Sequence, residues 1–95
     1  MAQAREVVQD GATYCSFDID FIDPAFAPGT GTPEIGGPDT YTAQQLVREW
    51  RGVNLIGADL VEVSPPFDAS GGTAWVGVSI MFELLCMLAD SRSRQ

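Results

Sequence analysis

The sequence contains no histidine and no lysine, and its only positively charged side chains are five arginines. Without histidine, this chain alone cannot form a Ser-His-Asp triad or a Cys-His dyad, and it offers no imidazole ligand to a metal. Thirteen acidic residues oppose the five arginines, which gives a formal net charge of −8 at pH 7. A chain this acidic lacks the electrostatic footprint of a nucleic-acid-binding protein.

Cysteine and long hydrophobic runs are also scarce. The two cysteines, Cys15 and Cys86, lie in apolar stretches without a C-x-x-C spacing, which argues against a disulfide scaffold or a zinc knuckle. We interpret them as buried, reduced thiols of a cytoplasmic protein. The polar start, Met1–Glu6, has no hydrophobic core of a signal peptide. The apolar run Ala74–Ala89 includes Glu83 and is short for a bilayer span of about 20 residues, so it predicts a buried helix and no membrane partner.

The 95 residues are 45% hydrophobic and leave room for one small domain. Local patterns predict alternating elements, which are helix Ala2–Gln9, strand Thr13–Ile19, loop Asp20–Thr40, a helix to about Arg51, strand Val53–Val63, loop Ser64–Gly72 and a helix from Thr73 to about Asp90. Thr42 with Gln45 matches a capping box, so Thr42 is the predicted N-cap of the second helix. The alternation indicates an α/β fold with a parallel sheet and right-handed crossovers. Two strands cannot form a covered parallel sheet, so a partner or a larger domain must supply the rest.

Two aspartates stand where the first strand is predicted to end. Because strand side chains alternate between faces, Asp18 and Asp20 are expected on the same side, at the sheet edge where α/β proteins bind ligands. Neighbouring carboxylates repel unless a cation lies between them, and their hard oxygens suit Mg²⁺, Mn²⁺ or Ca²⁺. Solvated or capping aspartates, or a glycosidase pair about 5 to 9 Å apart, remain alternatives. An EF-hand is disfavoured because its D-x-D-x-D-G run and final glutamate are missing.

Two longer motifs resemble a known family. Ser16–Glu34 reads S-F-D-I-D-F-I-D-P-A-F-A-P-G-T-G-T-P-E, and Gly57–Pro65 reads G-A-D-L-V-E-V-S-P. Both resemble the late motifs of the ureohydrolases, the family of arginases, agmatinases and other guanidino-acid hydrolases. Ala27–Glu34 is closer to the agmatinase and guanidino-acid branch. The resemblance implies a three-layer α/β/α fold with a mainly parallel sheet, of which this chain has two strands and their helices.

The resemblance also implies site residues. Asp18 and Asp20 match the two aspartates that ligate a pair of Mn²⁺ ions. In the family, the aspartate that Asp18 matches usually bridges both ions. Asp23 matches an aspartate that is not a ligand and is expected to brace the turn before Pro24. Glu62 and Thr32 match substrate-binding positions, with Glu62 facing the guanidinium. The structural alternatives are a solvent-exposed strand-end carboxylate for Glu62 and a turn-stabilising hydroxyl for Thr32. No residue of this chain is assigned a catalytic role.

The implied reaction is metal-assisted hydrolysis of a guanidino compound, agmatine or a guanidino acid, to urea and an amine. Two cations lower the pKa of a bound water, and the acidic balance of the chain suits a small cationic substrate. The family also has histidine-bearing motifs, Gly-Gly-Asp-His and Asp-Ala-His-x-Asp, and both are absent here. Family members are roughly three times as long, as a single α/β domain of about 250 residues would be. We therefore expect residues 1–95 to be the C-terminal part of one ureohydrolase domain that is homo-oligomeric at full length.

Three hypotheses follow for the chain itself. The first is that it carries only the late motifs of a ureohydrolase and is inactive alone, without tight Mn²⁺ binding and with exposed strand edges and apolar helix faces. The second is a non-catalytic, truncated relative that interacts with a full-length ureohydrolase. The third is an unrelated small α/β module that binds a metal.

Overall fold

A computed structural model describes all 95 residues, from Met1 to Gln95. Its elements, in chain order, are α1 (Ala2–Val8), β1 (Thr13–Asp18), α2 (Thr40–Arg48), β2 (Leu55–Val61) and α3 (Gly72–Ser93). Two single 3₁₀ turns, Ile19–Phe21 and Pro65–Phe67, follow the two strands. The predicted order of elements is confirmed. Strand β1 ends one residue earlier than predicted, and β2 begins two residues later and ends two residues earlier than predicted.

The two strands form a parallel sheet, as the alternation predicts. Ser16 lies opposite Asp59, and Asp18 lies opposite Val61. The register shifts by one residue near the start, where Thr13 pairs with Leu55 but the next residue of β1 pairs with Gly57. Because the strands are parallel, their carboxyl ends meet at one edge of the sheet, and the loops that follow both strands meet there as well.

The hydrophobic core lies between the sheet, α2 and one face of α3. It comprises Ile19, Ile22, Ala27, Ala43, Val47, Leu55, Ile80, Leu84 and Met87. Three of these residues, Ile19, Ile22 and Ala27, belong to the segment that follows β1. The long loop is therefore anchored in the core by its own apolar side chains, which restricts the backbone around the candidate site.

Helix α2 begins earlier than predicted, and Asp39 is its cap. Asp39 Oδ1 accepts a hydrogen bond from the backbone N–H of Thr42 at 2.8 Å. This bond also holds the pKa of the Asp39 carboxyl below its usual value. The prediction of Thr42 as N-cap is wrong because an aspartate stands three residues before it. A carboxylate is a good N-cap acceptor and is also favoured by the helix dipole.

Helix α3 is buried on one face only, so the prediction of a wholly buried helix is wrong for this chain. Its buried face includes Ile80 and Leu84, whereas the side chain of Trp75 is 74% exposed and Phe82 is also largely exposed. The exposed apolar face continues across the free edge of β2 through Leu60. The expectation of exposed apolar helix faces is confirmed. By length and composition alone α3 could span a membrane, a test that core helices of soluble proteins also pass.

The two cysteines are free and half-buried rather than buried as predicted. Cys15 points from β1 toward the core and contacts its periphery, as does Cys86 on α3. Burial raises the pKa of the Cys15 thiol, which keeps it protonated and unreactive near neutral pH.

A two-bond ion pair joins α2 to α3. Arg48 donates from Nε to Glu83 Oε2 at 2.9 Å and from Nη2 to Oε1 at 2.7 Å. The Glu83 side chain is only 11% exposed, so it has little contact with water. Arg48 gives this carboxylate the hydrogen-bond donors and the positive charge that it would otherwise lack. These hydrogen bonds lower the pKa of Glu83 from its ordinary value of 4.5.

We expect Glu83→Gln to lower the melting temperature of the chain by several degrees at pH 7. Because the pKa of Glu83 is lower in the folded state, its carboxylate stabilises the fold above pH 4.5. This contribution is lost as the pH falls through the folded-state pKa, so the difference between parent and variant should close in acid. Thermal unfolding followed by circular dichroism between pH 7 and pH 3 tests this, with the exposed Glu6→Gln as control. A difference that persists at the acid end would contradict it.

Candidate functional site

The candidate site lies at the carboxyl edge of the sheet, where both strands end. Asp18 is the last residue of β1, and Glu62 follows β2 directly. Glu62 has φ of +75°, in the left-handed region that residues other than glycine and asparagine seldom adopt. A side chain held in this conformation is a recurrent feature of functional sites, where the surrounding structure supports the strain.

The structure brings Asp18 and Asp20 together, but not by the mechanism that the sequence suggests. The prediction that both side chains project from the same face of one strand is wrong. Strand β1 ends at Asp18, and Asp20 belongs to the 3₁₀ turn Ile19–Phe21. Asp18 Oδ1 instead accepts a hydrogen bond from the backbone N–H of Asp20 at 3.0 Å. Asp18 therefore caps the turn that carries the second carboxylate, and this local contact keeps the two acidic groups adjacent.

Electrostatic repulsion links three carboxylates at this edge. Partial burial raises the pKa of Asp18, and the nearby charges of Asp20 and Glu62 raise it further. The backbone N–H of Asp20 opposes these effects but does not cancel them. A site that holds negative charges close together against their repulsion is suited to a cation.

Thr32 reaches the same edge from the long loop. Its hydroxyl donates a hydrogen bond to Asp20 Oδ2 at 2.9 Å. The loop therefore folds back over twelve residues of sequence to contact the second candidate ligand. This contact can orient the carboxylate of Asp20, and the predicted contact of Thr32 with substrate stays a prediction.

Asp23 braces the loop, as the sequence predicts. Its Oδ1 accepts the N–H of Ala25 at 2.9 Å, and its Oδ2 accepts the N–H of Gly36 at 3.0 Å. These bonds lower the pKa of Asp23 and keep it charged. The backbone at Gly37 passes very close to the 3₁₀ turn Ile19–Phe21. A Cβ added to Gly37 would lie 2.3 Å from the carbonyl oxygen of Phe21. Sequence reasoning missed this close approach, since a Gly-Gly pair indicates only a turn.

A second set of contacts ties the loop to α3 and was not predicted. Gly29 donates its N–H to Thr73 Oγ1 at 2.8 Å, and its carbonyl accepts the N–H of Ser64 at 2.8 Å. Asp68 in turn accepts the N–H groups of Thr73 at 3.0 Å and Ala74 at 2.9 Å. Both loops of the site edge are therefore fixed to the start of α3. An aspartate shortly before an apolar helix is the sequence signal that could have indicated this cap.

The residues present fit a hard divalent cation in kind but not in number. Asp18 and Asp20 offer adjacent carboxylate oxygens, the donor type that Mg²⁺ and Mn²⁺ prefer. No group of three or more His, Cys, Asp or Glu side chains gathers as a ligand set in this chain. Two carboxylates leave most positions around an octahedral ion unfilled.

Comparisons with known proteins give a consistent result. The profile of the arginase family matches residues 1–87. The guanidinopropionase of Pseudomonas aeruginosa is 66% identical over 94 residues, which are 99% of this chain and 30% of that protein. The guanidinobutyrase of the same organism is 57% identical over 88 residues, 93% of this chain and 28% of that protein. The chain thus spans about 30% of the length of the curated relatives that it matches.

A solved structure supports the same conclusion for the fold. The crystal structure described as a hypothetical agmatinase from Burkholderia thailandensis superposes with a TM-score of 0.92 and 44% identity, covering 99% of this chain and 30% of that one. The predicted α/β fold class is confirmed by this overlay. In that structure, the matched part is accompanied by more than twice its own length of additional chain.

Proposed function

The chain belongs to the arginase family, and from this premise we propose that it contributes metal- and substrate-binding residues to the hydrolysis of a guanidino compound to urea and an amine. The observation that carries the proposal is the adjacency of Asp18 and Asp20 at the carboxyl edge of the sheet, with the charge of Glu62 acting on Asp18. Carboxylates that repel Asp18, in a chain of net charge −8, suit two kinds of cation, a divalent metal and a guanidinium group.

Each residue has a distinct role in this proposal. Asp18 and Asp20 would hold the pair of Mn²⁺ ions, which would supply a water of lowered pKa. Glu62 pairs with the guanidinium of the substrate and orients its carbon toward the metals. Thr32 holds the Asp20 carboxylate through its hydrogen bond, and in this proposal it also contacts the substrate. Asp23 and Gly37 shape the loop that presents Thr32.

The substrate we propose is agmatine or a guanidino acid, the class that the names of the relatives indicate. We propose that residues 1–95 form part of a single domain, which is cytoplasmic and homo-oligomeric at full length, without a nucleic-acid or membrane partner. The 95-residue chain alone is inactive in this proposal, because two carboxylates do not complete a manganese site.

A graft tests the function directly. The 94 residues of Pseudomonas aeruginosa guanidinopropionase that match this chain are replaced by those of this chain, and the hybrid is loaded with Mn²⁺. We expect urea release from guanidinopropionate, guanidinobutyrate or agmatine, whereas the host with its matched segment deleted should release none. A folded, manganese-loaded hybrid that releases no urea from any of the three substrates would contradict the proposal.

The purified 95-residue chain provides the complementary measurement. We expect neither urea release nor tight Mn²⁺ binding by calorimetry, because the ligands beyond Asp18 and Asp20 are missing. Hydrolysis by this chain on its own would refute the proposed dependence on additional ligands.

A further inference from the structure

A carboxylate joins the two strands two residues below the site edge. Ser16 Oγ on β1 donates a hydrogen bond to Asp59 Oδ1 on β2 at 2.6 Å, and the Tyr14 hydroxyl donates to Asp59 Oδ2 at 3.0 Å. Both carboxylate oxygens are therefore occupied by hydroxyls of the neighbouring strand. The bond from Tyr14 raises the pKa of that phenol, because its ionisation would place a second negative charge beside Asp59. We refer to Tyr14, Ser16 and Asp59 as the register lock.

The residue opposite Tyr14 is shaped to receive its ring. Gly57 pairs with Tyr14, and a Cβ on Gly57 would lie 2.8 Å from two carbons of the Tyr14 ring. The ring thus lies against the bare backbone of Gly57, and its hydroxyl reaches across to Asp59. Tyr14 is 59% exposed, so burial in this chain does not explain its position. Its position is explained by the hydrogen bond to Asp59 and by the absence of a Cβ on Gly57.

The lock follows directly after an irregular point in the ladder. The register shifts between Thr13 and Tyr14, which leaves Ile56 as the extra residue of β2. If the strands slipped by one residue beyond this point, every side chain of the slipped strand would move to the opposite face of the sheet. Tyr14 and Ser16 are the first two residues on their face beyond the shift. Their bonds to Asp59 are possible only in the observed register.

The register decides which residues meet at the site edge. Asp18 follows Ser16 by two residues on the same face of β1, and Glu62 follows Asp59 by three residues. In the observed register Asp18 lies opposite Val61, which directly precedes Glu62 and its left-handed backbone. A slip by one residue would move Glu62 along the edge and displace it from Asp18.

We propose that Tyr14, Ser16 and Asp59 are positioning residues, which fix the register beyond the bulge and thereby hold Glu62 and Asp18 at the spacing that the metal and the guanidinium require. None of the three touches the metal or the substrate. This inference rests on the proposed function, and it adds residues on the sheet face that neither the motifs nor the site geometry assigned.

The test uses the graft described above and measures Mn²⁺ affinity by calorimetry together with kcat and KM. Asp59→Ala removes both bridges, and we expect Mn²⁺ affinity to fall about tenfold or more and KM to rise. Asp59→Asn keeps an acceptor for one hydroxyl and a polar partner for the other, so most of the affinity should be retained. Asp10→Ala, on an exposed turn, is the matched control and should change nothing.

Two results would overturn the inference. One is a folded Asp59→Ala graft with unchanged Mn²⁺ affinity and KM, since the lock would then not influence the site. The other is an equal loss in Asp59→Asn, since the charge of Asp59 rather than its bridges would then be responsible.

If Asp59→Ala does not fold, Tyr14→Phe replaces it, with Tyr41→Phe on α2 as control. Tyr14→Phe should then lower the affinity severalfold, and an unchanged affinity would overturn the inference.

The two proposals fail in different ways. An unmodified graft that binds Mn²⁺ but releases no urea contradicts the proposed function. In that case the affinities of the Asp59 variants still decide whether the lock positions the metal ligands, because their measurement needs no turnover.

Discussion

Replacing Asp18 by asparagine in the guanidinopropionase graft is expected to abolish tight Mn²⁺ binding and to lower kcat/KM by about a thousandfold. Asp18 would be a ligand of the metal pair, and a neutral amide would attract the two cations far less strongly than a carboxylate. Metal ions supply several kcal/mol of transition-state stabilisation, and about 1.4 kcal/mol corresponds to each factor of ten in rate. Manganese content by elemental analysis and urea release measure the two effects, with Asp10→Asn as a control of the same chemistry at an exposed turn.

The same substitution should leave the metal-free 95-residue chain as stable as the parent, or more so. Asparagine can still accept the N–H of Asp20 through its amide oxygen, and it removes the repulsion from Asp20 and Glu62. A residue that costs stability and is required for metal binding is functional rather than structural. A clear fall in melting temperature for the Asp18→Asn chain would instead indicate that Asp18 serves mainly as the cap of the 3₁₀ turn.

Replacing Gly37 by alanine is the second substitution with a large expected effect. The new Cβ would lie 2.3 Å from the carbonyl oxygen of Phe21 and 2.9 Å from the backbone nitrogen of Asp23. Both are main-chain atoms, so relief requires the loop to move and the bond between Asp23 and Gly36 to break. We expect a loss of about 1–3 kcal/mol in the free energy of unfolding. In the graft, the displaced loop should also weaken Mn²⁺ binding.

Gly31→Ala is the matched control for this prediction. Gly31 lies in the same loop, a Cβ added to it would have no neighbouring atom within 4 Å, and its φ is not positive. Alanine there should be neutral or slightly stabilising, since it restricts the unfolded chain. Unfolding in urea, followed by circular dichroism, compares the two variants. Equal stability of the Gly37→Ala and Gly31→Ala chains would contradict the close approach of Gly37 to the turn.

The sequence by itself determined the order of elements and the class of the protein. Periodicity and turn residues are local properties, so α1 through α3 follow from short windows. The motifs around Asp18 and Glu62 identified the family, and the match over residues 1–87 confirms it, so the hypothesis of an unrelated metal-binding module is wrong. The brace formed by Asp23 was also predictable, because its partners lie within the same loop.

The tertiary structure decided how these parts meet. It placed Asp20 in a turn rather than on β1, gave Glu62 a left-handed backbone and exposed one face of α3. The contacts of Gly29 with Thr73 and of Ser16 with Asp59 join residues more than forty positions apart. Local pattern cannot specify such pairs, because strand register, close backbone approach and the burial of a helix face depend on which distant segment packs against them.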